Sequence, residues 1–138
     1  MKKLSWAILI LFVSACASKK VQTAAIAKLN GTWIPISQQM NGKDLPKAFY
    51  EKQRLIIEDS SYTVIAESID RGIVKVNGNK LDIYGKEGVN SGRHFTGLFE
   101  IHEDKLTVCY NLKGDSYPVD LTTQGKASFF MSVFTRLK

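Results

Sequence analysis

Beyond Leu29 the chain alternates apolar and polar residues in short runs, each ending at residues that favour turns. The runs surround Trp33 and then cover residues 55–57, 62–66, 73–76, 81–83, 95–101, 106–110 and 129–134. A period of two belongs to strands with one buried face. Between the runs stand Asp59-Ser60-Ser61, Asp70-Arg71-Gly72, Asn77-Gly78, Glu103-Asp104 and Lys113-Gly114-Asp115. Asn77-Gly78 is the sharpest of these signals, because both residue types tolerate the positive φ of a tight hairpin turn. About eight strands with hairpin-length connections predict an all-β antiparallel barrel or sandwich. One short helix is expected after the first strand, over residues 46–52. Asp44 is placed to cap it, and Pro46 suits a first turn, where its missing N–H costs nothing. The pattern shows no repeat and no second domain.

The first residues follow a different pattern. Lys2 and Lys3 precede an apolar run over residues 4–13, and the small residues Ser14 and Ala15 lead into Cys16. This is the three-part layout of a secretory signal. Ten apolar residues in a helix reach about 15 Å, roughly half a bilayer core, too short for a stable span. Val13-Ser14-Ala15-Cys16 resembles a bacterial lipobox, with valine in place of the more usual leucine. That resemblance implies cleavage after residue 15 and lipid attachment at Cys16. The domain reading is therefore a signal peptide over 1–15, a lipid-anchored tether over 16–28 and a barrel over 29–138. Residues 17–28 are small, polar and weakly basic, which suits a tether. The stretch 24–27 is also compatible with a helical turn against the domain.

Composition changes the picture little. Removing 15 of 138 residues leaves 123, enough for one domain with a modest core. Two lysines leave as well, so 17 basic residues face 13 acidic ones, a net charge of +4. The basic residues are scattered, and a nucleic-acid partner would need them in a stripe. Attraction to lipid headgroups explains the excess more simply for a lipid-anchored chain. Cys109 is the second of two cysteines. With Cys16 acylated, no intramolecular disulfide is expected.

Leu29-Asn30-Gly31-Thr32-Trp33 looks like the Gly-x-Trp opening strand of the lipocalins. More closely, the chain resembles the planctomycete-type family of uncharacterised, lipocalin-like extracytoplasmic domains. The matching pieces are Gly31-Thr32-Trp33, Asn41-Gly42-Lys43-Asp44-Leu45-Pro46, Gly97-Leu98-Phe99-Glu100-Ile101, Leu106-Thr107-Val108-Cys109-Tyr110 and Val133-Phe134-Thr135-Arg136. The resemblance implies a calyx-like barrel exported from the cytoplasm and carries no activity with it. It also implies that Arg136 covers Trp33 and closes the barrel base, a stack worth roughly 1–2 kcal/mol when partly desolvated. The glycine-rich stretch 84–92 departs from the family pattern.

The residues that invite chemistry have plainer readings. Alternation puts Phe95, Phe99 and Ile101 on one face of their strand and His94, Thr96, Glu100 and His102 on the other. An aromatic core then turns both histidines outward. Along one strand they would stand about 26 Å apart, too far to share a metal ion. Cys109 shares its parity with Thr107 and Asn111, which puts it on the outer wall, beneath a loop or the short helix, as a packing residue. Residues 84–92 lack the Gly-Lys-Ser/Thr ending of a phosphate loop and read as a hairpin loop at the barrel mouth. Asn30-Gly31-Thr32 is formally a glycosylation sequon, which a bacterial lipobox discounts.

These readings converge on a non-enzymatic, lipid-anchored barrel of the bacterial envelope, with the outer membrane favoured because no acidic residue follows Cys16. The expected ligand is a small apolar or amphiphilic molecule, with Tyr62, Phe99 and Tyr110 as the ligand-binding side chains by parity. No catalytic residue, cofactor or metal is expected. The alternative is a barrel filled by its own side chains that acts as an interaction module for another envelope protein. A cavity favours the first reading, and a packed interior with an exposed apolar patch favours the second.

Overall fold

The computed structural model describes the backbone of residues 14–138 and the side chains from residue 19 onward. The expected signal segment lies almost wholly outside the described residues, as does the Cys16 side chain. The elements are α1 (Ser14–Leu29), β1 (Gly31–Met40), β2 (Lys43–Asp44), β3 (Arg54–Glu58), β4 (Ser61–Ile65), β5 (Ile69–Asn77), β6 (Lys80–Glu87), β7 (His94–His102), β8 (Lys105–Asn111) and β9 (Phe129–Arg136). Strands β1 and β3 to β9 pair antiparallel in chain order, and β9 returns to pair with β1. The result is a closed eight-stranded barrel, with two-residue β2 hanging from β1 as an edge. At the level of architecture this is a lipocalin-like barrel.

Closure needs β1 to bend. Its ladder with β9 shifts register between Pro35 and Ser37, so Ile36 is the extra residue of a bulge. Proline has no N–H to offer a ladder, and a bulge is where one is tolerated.

The two barrel ends differ, and the turn chemistry explains why. Three two-residue turns lie at one end: Asp59-Ser60, Gly78-Asn79 and Glu103-Asp104. Each has a positive φ at its first residue, 55° at Asp59, 62° at Gly78 and 53° at Glu103. Such turns follow the strand twist and hold the strands close. The other end carries longer connections at 41–53, 66–68, 88–93 and 112–128. One end is therefore tight, and the other is a ring of loops.

Helix α1 seals the tight end. The stretch 17–28, read from sequence as a tether with a helical turn at 24–27 left open, is helical throughout. Ala25, Ile26 and Leu29 share one helical face and pack on the barrel core. Leu29 is 1 % exposed and plugs the base. The helix expected after the first strand is reduced to one 3-10 turn, Lys47–Phe49. Asp44 does not cap it; it lies in β2 and accepts a hydrogen bond from Gln39 Nε2 at 2.7 Å.

Candidate functional site

Alternation along each strand sends one set of side chains into the barrel. Cross-strand partners share a face, so Leu55–Val64, Ile57–Tyr62, Val76–Leu81, Phe99–Val108 and Leu106–Phe134 form inward layers. At the tight end the barrel closes around Trp33, which is completely buried. Its indole N–H donates to the Leu29 carbonyl at 2.7 Å.

Arg136 completes the base. Its guanidinium carbon lies 4.1 Å from the centre of the Trp33 ring. Nη2 donates to the Lys28 carbonyl at 2.9 Å and Nη1 donates to the Asn30 carbonyl. The last carbonyls of a helix lack partners within it, and a cation there also meets the negative end of the helix dipole. Arg136 thus ties the last strand, the first strand and α1 together. Trp33 and Arg136 form the floor of the barrel.

A cavity of about 280 Å³ runs from Leu29, Leu106 and Phe134 at the base toward the loop end. Leu55, Val64, Val74, Leu81, Ile83 and Val108 form most of its apolar wall. Tyr62 and Tyr110 line it. Neither hydroxyl has a hydrogen-bond partner among the described residues. Burial pushes the Tyr110 hydroxyl well above its ordinary pKa, and the neighbouring Tyr62 and Cys109 add to the shift. Burial also raises Tyr62, with the Asp70 charge as a second cause. Both groups stay protonated at any ordinary pH and remain free to donate to a guest.

Phe99 stands differently from the two tyrosines. It faces inward and is 6 % exposed, but it belongs to the packed lower core and does not line the cavity. Its aromatic place on the wall is taken by Phe95, Phe130 and Phe134.

Five polar residues at the mouth were not singled out from sequence, Gln38, Gln53, Arg54, Asp70 and Arg93, and Asn90 of the stretch 84–92 joins them. Asp70 is the clearest omission. The sequence reading puts Asp70-Arg71-Gly72 in a turn, whereas β5 begins at Ile69 and Asp70 is an inward, 7 % exposed strand residue. Its parity with Val74 and Val76 was the available signal. Its Oδ1 accepts the Asn90 backbone N–H at 3.0 Å and so fixes the loop 88–93 beside the mouth. The stretch 84–92 is only partly loop, since β6 runs through Glu87. Gly85 pairs with Gly72 there, and a Cβ at Gly85 would collide with the Asn90 carbonyl. Glycine is needed because the loop folds back directly onto its own strand.

The outer wall holds the remaining candidates. His94 and His102 both face outward, but in different settings. His94 stacks on Tyr84 at 4.6 Å and its Nε2 lies 2.8 Å from Asp82 Oδ1. The Tyr117 hydroxyl donates to the other Asp82 oxygen at 2.5 Å. His102 is exposed, 3.9 Å from Glu100. Cys109 is fully buried on the outer wall under the long 112–128 loop, its thiol 3.8 Å from the Thr122 carbonyl. Burial pushes that thiol up, a setting for packing more than for reactivity.

Comparison with known proteins adds little beyond the fold. No protein-family model matches the chain, and no curated protein matches it. The chain is similar to the crystal structure of an uncharacterized protein from Bacteroides eggerthii DSM 20697. The two share 11% identity with a TM-score of 0.52, over 78% of this chain and 98% of the other. At that identity the likeness concerns the fold alone.

Proposed function

We propose that this protein is a non-catalytic carrier or receptor that binds one small apolar or amphiphilic molecule in its barrel. The single observation behind the reading is the apolar cavity of about 280 Å³, lined by Tyr62 and Tyr110, whose hydroxyls have no partner among the described residues. Its size lies just below the roughly 300–1,000 Å³ usual for small-molecule pockets. An apolar guest is favoured by burial of its surface, and the tyrosines supply direction. The interaction-module reading would be better served by a barrel filled along its whole length. In a titration of the purified full chain with the neutral fluorophore phenylnaphthylamine, fluorescence should rise and saturate at one probe per chain. A linear, unsaturable rise would overturn the proposal.

The envelope reading is a proposal of the same kind. It rests on the basic, apolar and small-residue order of residues 2–16. Helix α1 would join a lipid on Cys16 to the sealed end of the barrel, with the mouth at the opposite end. The Cys16→Ala chain should take up no labelled palmitate in a lipoprotein-producing bacterium, and undiminished labelling would contradict a lipid at this cysteine.

A further inference from the structure

We propose that the cavity selects a single-chain amphiphile with an anionic headgroup, received at the mouth by Arg54 and Arg93. This rests on the ligand-binding reading above and specifies the chemistry of the guest. Arg54 opens β3, and Arg93 immediately precedes β7, so both stand at the loop end. Four arginines occur in the chain. Arg71 pairs with Glu87 at 3.2 Å and Arg136 with Asp104 at 3.5 Å. Arg54 and Arg93, the two that line the cavity, have no carboxylate partner among the described residues.

What they do contact leaves most of their donors free. Arg54 Nη1 donates to the Gln53 carbonyl at 2.7 Å and to the Glu51 carbonyl at 3.4 Å. Arg93 lies 4.8 Å over the Phe95 ring and makes one long bond, 3.4 Å, to Asn90 Oδ1. A guanidinium has five donors in a fork that matches a carboxylate or phosphate. Here two such forks border an apolar shaft.

Asp70 is the one carboxylate on the cavity wall among the described residues. Its Oδ1 is engaged by the Asn90 N–H. Its charge offsets one arginine, leaving the mouth one positive charge in excess. The Asp70 carboxylate shares the cavity wall with Tyr62 on the neighbouring strand, opposite Val64, so an anion is repelled from the tyrosine level and held at the rim. The volume limits the rest of the guest. About 280 Å³ takes one chain and not a two-chain lipid.

The test is displacement of phenylnaphthylamine from the purified full chain by decanoate, decanol and decylammonium, which share a tail and differ in head charge. Decanoate should displace the probe at about a tenfold lower concentration than decanol, the scale of a partly solvated charge-assisted contact. In the Arg54→Gln/Arg93→Gln chain that ratio should fall to about one while decanol is unchanged. Rising salt should narrow the same ratio in the unaltered chain, a check that needs no variant. Equal displacement by decanoate and decanol, or tightest displacement by decylammonium, would overturn the anionic headgroup and leave the binding reading intact. A probe that never binds would sink both.

Discussion

Trp33→Ala is expected to lower stability by about 3–5 kcal/mol, the range for truncating a buried aromatic. Several losses coincide at this position. The indole is fully buried, so its removal opens a void where the inward layers meet α1. The N–H bond to the Leu29 carbonyl disappears, leaving a helix-end acceptor without its donor. Arg136 loses the ring beneath it while still held at the Lys28 and Asn30 carbonyls. A domain of this size has only about 5–15 kcal/mol in total, so the variant should melt many degrees lower or fail to fold. Urea unfolding followed by far-UV circular dichroism measures the difference. A change below about 1 kcal/mol would mean that the floor carries no special share of the stability.

Phe99→Ala should cost a similar amount, about 3–5 kcal/mol, and should leave probe affinity nearly unchanged. Phe99 is buried against Val108 in the lower core and takes no part in the cavity wall. Its removal loosens the packed half without touching the surface that a guest would meet. Tyr110 is the contrast, since its ring lines the cavity. Unfolding midpoints and probe titrations on the same Phe99→Ala preparation separate the two effects. Weakened binding in a chain that stays folded would place Phe99 in the site after all.

Much of the barrel was legible because strand alternation is a local signal. The parity of residues 95–101 and 106–110 put Phe95, Phe99, Val108 and Tyr110 inside, and the structure shows the same faces. Parity says which face a residue takes and not how far along the barrel axis it sits. Phe99 and Tyr110 therefore look equivalent in sequence, although one packs and the other lines a cavity. Asp70 was missed because a charged residue beside Arg-Gly reads as a turn, while its inward parity shows only once β5 is known to begin at Ile69. Arg54 and Arg93 sit at strand ends, where alternation fades and loop geometry decides. Apart from the helical turn left open at 24–27, helix α1 was read as a tether because its apolar face amounts to Ala25, Ile26 and Leu29, too short a stripe to declare a period of 3.6. Its stability comes from the barrel it plugs and from Arg136, a residue more than one hundred positions away.

The central claim is that the space inside the barrel is a binding site. Its most direct test is the methyl NMR spectrum of the isotope-labelled full chain, recorded through the phenylnaphthylamine titration. Saturating shifts are expected at Leu55, Val64, Val74, Leu81, Ile83 and Val108, whose side chains form the apolar wall. The exposed methyls of Ile36, Val89 and Val119 should stay in place. Shifts confined to those outer residues, or a spectrum unmoved at saturating probe, would contradict an internal ligand site.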